Sequence, residues 1–228
     1  MAKINLRTTE QRLEAGKKLR DKCPRPSHGK VVLGQGDKRD VVQLIKDSNE
    51  GRLENLVPIR HGRMLQSAFA YYRGTAAIQA YDLAGTPSSG IIVQACGDCH
   101  LMNFGGFATP ERTLVFDIND FDETLPAPFE WDIKRLAASF VIAARWRGFK
   151  ADQAREIAVQ AVSSYRQSMR KRAGTHVLEA WYSRTTMNDL LALVGKDAEL
   201  VGRVKQKISE AGKRTAEHVF AKITAPAK

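Results

Sequence analysis

The sequence has few cysteines and no long apolar stretch. Its three cysteines, Cys23, Cys96 and Cys99, cannot form a disulfide framework, and reduced thiols are typical of cytoplasmic proteins. The longest apolar run, ASFVIAA from Ala138, ends at Arg145, well short of the roughly 20 apolar residues of a membrane span. The N-terminal segment MAKINLRTTEQRLEAGKKLR is charged throughout and lacks the apolar centre of a signal peptide. We therefore expect a soluble cytoplasmic protein.

Acidic residues are also in deficit, since 25 Asp and Glu stand against 36 Lys and Arg, and the formal net charge is +11. This surplus favours an anionic partner, such as a nucleotide, a phosphorylated substrate, a nucleic acid or an acidic lipid. Hydrophobic residues at 43% and charged residues at 27% are typical of a globular domain that can bury a core.

Hydrophobic spacing predicts an α+β protein that is mainly helical. Helical periodicity runs from Val41 to Leu83, and it returns after Pro128 in one helix and from Asp152 to Arg172 in the next. The first of these later helices should bury a stripe formed by Trp131, Leu136, Phe140, Val141 and Ala144. Between the helical regions, IIVQACGD and RTLVFDIND have the composition of short strands, and they flank the glycine-rich loop CHLMNFGGFATPE.

The segment CGDCHLMNFGGF, residues 96–107, has the residue types of a phosphotransferase catalytic loop. Asp98 and Asn103 are five residues apart, as in the kinase pattern D-x-x-x-x-N, where the Asp orients the attacking hydroxyl and the Asn binds a metal ion. A further metal-binding Asp should follow an apolar strand, and LVFDINDFDE supplies Asp117, Asp120 and Asp122 there. The pattern predicts a phosphoryl-transfer site, and a solvated acidic turn is the alternative for the three aspartates.

The same segment fits two rival interpretations. Cys96, Cys99 and His100 match the C-x-x-C-H pattern of haem attachment, but that chemistry requires export and no export signal is present. Structural zinc requires four ligands, whereas this loop supplies three in tight succession and the chain has no second C-x-x-C. We therefore expect neither haem nor structural zinc at Cys96 and Cys99.

Longer segments resemble known families. GDCHLMNFG together with NDFDETLPAPFEWDIKRLAAS resembles the catalytic half of aminoglycoside phosphotransferases. LVPIRHGRML, FAYYRGTAA and the region from Cys96 to Ser139 are similar to the bacterial family of unknown function DUF2252, which is grouped with the protein-kinase-like fold. This second resemblance covers most of residues 40–170. It implies a kinase-like catalytic half, similar to a kinase C-lobe, in which a small β unit carries the active loop.

The resemblance implies a role for each matching residue. Asp98 and His100 match catalytic-loop residues, and a hydrogen bond that braces the loop is an equal alternative for His100. Asp132 matches a helix residue that braces the loop. The implied cofactors are ATP and Mg²⁺, and the implied metal ligands are Asn103, Asp120 and Asp122. Arg73 is our candidate for contacting the phosphates of ATP, with pairing to the aspartates or simple exposure as the alternatives. Cys96 stands where the phosphotransferase motif has its first histidine, so that histidine's contact is absent or supplied by another residue.

A kinase also needs a glycine-rich hairpin over the phosphates and a strand lysine paired with a glutamate. No such pair is recognisable before Asp98, and the resemblance places these elements after the catalytic loop, beyond residue 228. We therefore expect a truncated family member that is inactive alone. Its expected parts are a basic N-terminal arm at 1–40, a kinase-like catalytic half-domain at 41–172 and a C-terminal helical segment at 173–228.

The expected partner is an unidentified small-molecule or protein acceptor, and an uncovered apolar surface would favour self-association or a completing domain. The alternative function is non-catalytic binding of nucleic acid or another polyanion by the basic clusters at 166–172 and 203–214. Neither cluster contains base-stacking aromatic residues or a known recognition motif, so nucleic acid is the weaker alternative. We expect no membrane partner.

Overall fold

The computed structural model describes residues 7–30, 39–195 and 197–212. These residues are mainly helical and include two small antiparallel sheets, which confirms the predicted α+β class. None of the described helices is both long enough and apolar enough to cross a membrane. The described chain divides into two compact units, one within residues 1–101 and 120–175 and the other within residues 102–119 and 176–228.

Helices separated by two pairs of short strands make up the described chain. Their bounds are α1 Thr9–Lys22, α2 Val41–Asp47, α3 Val57–Met64, α4 Ala68–Arg73, α5 Ala76–Ala84, β1 Ile92–Ala95, β2 Phe104–Ala108, β3 Leu114–Ile118, β4 Leu125–Pro128, α6 Phe129–Trp146, α7 Ala151–Arg172, α8 Val177–Tyr182, α9 Met187–Val194 and α10 Ala198–Gly212. The second unit contains β2, β3 and α8–α10, and the other elements belong to the first.

Helix α6 follows β4 without a break and packs against α4, α7 and β1 of the first unit. Pro128 precedes it in extended backbone, and Glu130 and Asp132 lie in its first turn, where the helix N-terminus favours negative charge. The helix ends just before Gly148, whose φ of +85° is the left-handed conformation that glycine adopts without strain. The sequence thus defines both ends of this helix.

The buried face of α6 is polar. Glu130, Arg135 and Ser139 are only 5%, 2% and 0% exposed. Of the stripe that we predicted for this helix, Ala144 is buried and the four larger residues are only partly buried. Because buried polar groups need partners, this face points to hydrogen-bonded contacts with other elements of the first unit.

In the second unit, β2 and β3 form an antiparallel pair in which Phe104 lies opposite Ile118. The rings of Phe104 and Phe116 stack with their centroids 6.5 Å apart. Helix α9 packs against β3, and α10 packs against α9 and β2. Strand β2 lies in the segment that we predicted as a loop, since Gly105 and Gly106 have little intrinsic preference for a strand.

Candidate active-site loop

The candidate site of the first unit lies at one end of the pairing between β1 and β4. The two strands are antiparallel with Ala95 opposite Leu125, so the chain leaving β1 and the chain entering β4 meet at the same end. The hydroxyl of Thr124 donates to the carbonyl of Ala95 at 2.7 Å, and Cys96 Sγ donates to the carbonyl of Asp120 at 3.7 Å. The loop that contains Asp98 and the loop that contains Asp120 are therefore neighbours.

Gly97 allows these two loops to pack closely. Its φ is +80°, and a Cβ atom at this position would lie 2.0 Å from the carbonyl oxygen of Glu123. Any other residue would combine an unfavourable backbone conformation with a collision against backbone. The glycine before the predicted catalytic Asp98 is thus required by the contact between the loops.

Asp132, in the first turn of α6, holds the beginning of the Asp98 loop. Its two carboxylate oxygens accept hydrogen bonds from the backbone N–H groups of Cys96 at 2.8 Å and Gly97 at 3.2 Å. Such charge-assisted bonds orient a loop more firmly than neutral ones. They confirm the bracing role that the family resemblance implied for Asp132.

Asp98 is anchored by the buried guanidinium of Arg135. Arg135 Nε donates to Asp98 Oδ1 at 2.6 Å, and Nη2 also contacts that oxygen. The guanidinium further donates to Gln79 Oε1 at 2.6 Å and to the carbonyl of Tyr72 at 2.9 Å, and it lies 4.4 Å from the centre of the Tyr72 ring. The Asp98 side chain keeps 14% of its surface exposed, so it is fixed in orientation and still reaches solvent.

We did not predict a role for Arg135 from the sequence. It belongs to the WDIKRL segment of the resemblance, but its partner Asp98 lies 37 positions earlier. The signal that could have identified it is its place one helical turn after Asp132, on the same face of α6.

His100 is buried between Asp98 and Arg73. It is 3% exposed, its Nε2 lies 3.3 Å from Asp98 Oδ2, and Arg73 Nε donates to the same nitrogen at 3.3 Å. Nε2 cannot accept from Arg73 while it carries the proton that it would donate to Asp98. The two contacts thus require different placements of the hydrogen on the ring nitrogens, and the exposed Arg73 and Asp98 are alternative partners of Nε2.

Carboxylates from both loops influence one another. Partial burial raises the pKa of Glu123, and the negative charges of Asp98, Asp120 and Asp122 raise it further. Asp120 and Asp122 are exposed, and Asp120 Oδ1 accepts a hydrogen bond from the backbone of Asp122 at 3.1 Å. Its place in the acidic segment DINDFDE could have indicated from the sequence that Glu123 belongs to this cluster, but we assigned no role to this residue.

Asp98, Asp120 and Asp122 lie near one another, but their carboxylates are not arranged to share one metal ion. Among the described residues, Asp98, Asp120 and Asp122 do not form a group whose ligand atoms all lie within 4.8 Å of one another. A shared Mg²⁺ would therefore require rotation of the exposed side chains. Asn103 belongs to the second unit, where it is 5% exposed and its carbonyl accepts a hydrogen bond from the backbone of Asn119 at 2.9 Å.

Cys96 and Cys99 are buried thiols with no disulfide between them. A hydrogen bond between the two sulfur atoms lowers the pKa of Cys96 and raises the pKa of Cys99, whose burial raises it further. The pair therefore resists full ionisation. The expected absence of haem and zinc at these residues stays a prediction.

The fold and this loop define a mainly helical α+β protein with an arginine-anchored aspartate beside an acidic turn. Residues 52–228 match the sequence model of the family described as "Uncharacterized protein conserved in bacteria (DUF2252)", and the chain belongs to that family. The resemblance to this family is thereby confirmed. Neither the curated proteins nor the solved structures gave a match.

Proposed function

We propose that this chain provides the catalytic and metal-binding half of a cytoplasmic, kinase-like phosphotransferase that uses ATP and Mg²⁺. The observation that carries the proposal is the placement of Asp98, fixed by Arg135, beside the turn that contains Asp120. Phosphoryl transfer depends mainly on positioning and on neutralising phosphate charge, and an oriented carboxylate beside a cation-binding turn supports both. The acceptor is a hydroxyl of an unidentified small molecule or protein.

In this proposal Asp98 orients the acceptor hydroxyl and takes its proton as the phosphorus–oxygen bond forms. Arg135 binds Oδ1 and thereby fixes the orientation of the Asp98 carboxylate for this role. His100 is a positioning residue, and Arg73, exposed beside it, is suited to an incoming phosphate.

Asp120 and Asp122 are the proposed Mg²⁺ ligands. Carboxylate oxygens are the protein ligands that Mg²⁺ prefers, and it usually retains several waters and substrate phosphates as further ligands. The raised pKa of Glu123, which burial causes first and the neighbouring carboxylates increase, supports a local excess of negative charge that a cation would relieve. Asn103 enters the proposal only through its spacing from Asp98 in the sequence.

A titration with Mn²⁺, followed through the electron paramagnetic resonance signal of the free ion, tests the metal assignment. Asp120→Asn and Asp122→Asn should each weaken binding roughly tenfold or more, since each removes a charged ligand. Asp152→Asn is the matched control, because Asp152 is an exposed aspartate in the first turn of α7. Equal Mn²⁺ affinity in all four proteins would contradict the metal site.

Mg-ATP binding and transfer of the terminal phosphate of radiolabelled ATP test the phosphotransferase class. Any Mg-dependent binding should fall in Asp120→Asn, and any transfer should fall in Asp98→Asn while Mn²⁺ binding persists. Transfer that survives Asp98→Asn unchanged would remove Asp98 from the proposed role.

Polyanion binding without catalysis is the second candidate function. Arg166, Arg170, Lys171 and Arg172 are all exposed at the end of α7, whereas Lys213 and Arg214 lie outside the described residues. Binding to a polyanion that falls steeply with salt, and that is unchanged in Asp98→Asn, would favour this alternative.

A further inference from the structure

A second cluster of ligand-type side chains lies away from the Asp98 loop, where the N-terminal segment meets the start of α6. Cys23 follows α1, His28 lies in the short 3₁₀ helix Arg25–Gly29, and Glu130 lies in the first turn of α6. One ligand atom from each residue lies within 4.8 Å of the other two, and Cys23 Sγ is 3.4 Å from His28 Nε2. Three different donor atoms thus meet at one point.

Two polar atoms in this cluster are buried without a hydrogen-bond partner. Glu130 is 5% exposed, and while its Oε1 accepts a hydrogen bond from the backbone of Ser89 at 2.8 Å, its Oε2 has no partner. His28 Nδ1 is likewise buried without a hydrogen-bond partner. Buried carboxylate oxygens are almost always paired, because leaving them unpaired forfeits their hydration without replacement. A cation bound between these side chains would give Glu130 Oε2 the partner that it lacks.

Lys134 is not that cation. It lies one helical turn after Glu130, but its ammonium group donates to Thr86 Oγ1 at 3.0 Å. Burial lowers the pKa of Lys134, and the charges of Glu130 and Cys23 oppose this change only in part. The lysine therefore leaves Glu130 Oε2 without a partner.

The cluster also does not fit a catalytic triad, in which His28 and Glu130 would activate the thiol of Cys23 as a nucleophile. In such a triad the carboxylate would accept a hydrogen bond from His28 Nδ1, yet this nitrogen has no partner. Cys23 is only 4% exposed, so a substrate could not reach its sulfur.

We propose that Cys23, His28 and Glu130 bind a divalent transition metal ion, with Zn²⁺ as the best match. Thiolate, imidazole and carboxylate are the donors that Zn²⁺ takes, whereas Mg²⁺ and Ca²⁺ bind oxygen. Zinc lies about 2.3 Å from sulfur and about 2.0 Å from nitrogen, so tetrahedral ligand atoms are about 3.5 Å apart. The 3.4 Å between Cys23 Sγ and His28 Nε2 fits this separation. Water takes the fourth position, as in the open zinc sites that have three protein ligands rather than in closed four-ligand structural sites, and the thiol proton is released to solvent on binding.

The position of Glu130 in the first turn of α6 is compatible with this assignment, because a helix N-terminus favours negatively charged groups. A bound metal would tie residues 23–28 to the helical turn that also contains Asp132. The site would thereby fix the N-terminal segment to the helix that orients the Asp98 loop. This inference stands independently of the proposed phosphotransferase function.

Cobalt substitution gives a direct test with the full chain. The protein is stripped with a chelator and titrated with Co²⁺, which shows thiolate-to-metal charge-transfer absorption only when a cysteine is a ligand. The band should saturate at one equivalent in the wild type, in Cys96→Ser and in Cys99→Ser, and it should vanish in Cys23→Ser. A band that is lost in Cys96→Ser or Cys99→Ser and retained in Cys23→Ser, or no band in the wild type, would overturn the proposal.

Substitution of the other ligands keeps the test valid if Cys23→Ser does not fold. His28→Gln and Glu130→Gln should lower Zn²⁺ affinity roughly tenfold or more in competition with a chromophoric chelator. Glu156→Gln, on the exposed surface of α7, is the matched control and should bind like the wild type. Unchanged affinity in both ligand variants, with circular dichroism of the native form, would show that the metal site does not exist.

Discussion

Arg135 and Asp98 join the middle of a helix to the tip of a loop, with Arg135 Nε 2.6 Å from Asp98 Oδ1. The arginine side chain is 2% exposed and the aspartate side chain is 14% exposed, so most of this ion pair is removed from water. Each charge depends on the other, because a buried charge without its partner is strongly unfavourable. The pair therefore links the stability of the first unit to the geometry of the candidate site.

Replacing Arg135 with methionine should destabilise the protein by about 3 kcal/mol, since Asp98 would lose its buried counter-charge. Urea unfolding followed by circular dichroism measures this difference. Arg145→Met is the control, because Arg145 is an exposed arginine on the same helix, and it should cost less than about 0.5 kcal/mol. A similar effect of the two substitutions would mean that the ion pair contributes nothing specific.

Asp132→Asn should lower the free energy of unfolding by about 1.5–3 kcal/mol, because two backbone N–H groups lose a charged acceptor. An asparagine offers one oxygen in place of two and points an N–H group at one of the donors. Asp152→Asn, in the first turn of α7, should cost less than about 1 kcal/mol through the helix dipole alone. Amide hydrogen exchange at Cys96 and Gly97 should accelerate in Asp132→Asn, and unchanged protection there would contradict the bracing role.

Comparison of Gly97→Ala with Gly90→Ala distinguishes two causes of lost stability, an unfavourable backbone conformation and a collision of the added Cβ with neighbouring backbone. Both glycines have positive φ, +80° and +82°, but a Cβ at Gly90 meets nothing within 4 Å whereas one at Gly97 meets backbone at 2.0 Å. Gly90→Ala should cost about 1–2 kcal/mol from conformation alone. Gly97→Ala should cost at least about 2 kcal/mol more, because the two loops must separate. Equal thermal unfolding temperatures for the two variants would disprove the close packing.

The pH dependence of the free energy of unfolding should reveal the raised pKa of Glu123. Its pKa is raised from the ordinary value of 4.5 by partial burial and then by neighbouring carboxylates, so the folded state retains a proton that the unfolded chain has released. Stability therefore falls as pH rises from 4.5 through the raised pKa, and the loss is complete above it. Glu123→Gln should be more stable than the wild type at neutral pH, and this advantage should disappear below about pH 4.

Glu111→Gln provides a control of opposite sign. A hydrogen bond from Thr109 is the main cause that lowers the pKa of Glu111 below 4.5, so its ionised form stabilises the folded state at neutral pH. This variant should be less stable than the wild type at neutral pH, and the difference should vanish as pH falls through the lowered pKa. Parallel pH profiles for the two variants would contradict the opposite environments of Glu123 and Glu111.

Periodic segments were predictable because their signals are local. The helix predicted from Asp152 to Arg172 is α7, Ala151–Arg172, and the strands predicted around Ile91 and Arg112 are β1 and β3. Strand β4 was not predicted because its sequence, LPAP, has two prolines. Only the pairing with β1 makes it a strand, and edge strands tolerate proline.

The candidate site was predictable in its residue types but not in its supports. Asp98 and Asp120 were identified by motif, and so was the loop brace Asp132. Arg135 was not, because an ion pair across 37 positions is decided by how α6 packs, which periodicity does not reveal. The cluster of Cys23, His28 and Glu130 was missed for the same reason, since it joins residues from opposite sides of a long intervening segment.

The pairing of Ala95 with Leu125 affects how far the length of the segment between β1 and β4 can vary. Residues 96–124 form a closed excursion whose two ends are held together by β1 and β4. The entropic cost of closing such a loop increases slowly with its length, by about 0.6 kcal/mol of free energy for each doubling. The hairpin of β2 and β3 within this excursion can therefore lengthen or shorten at little thermodynamic cost while Asp98 and Asp120 remain adjacent.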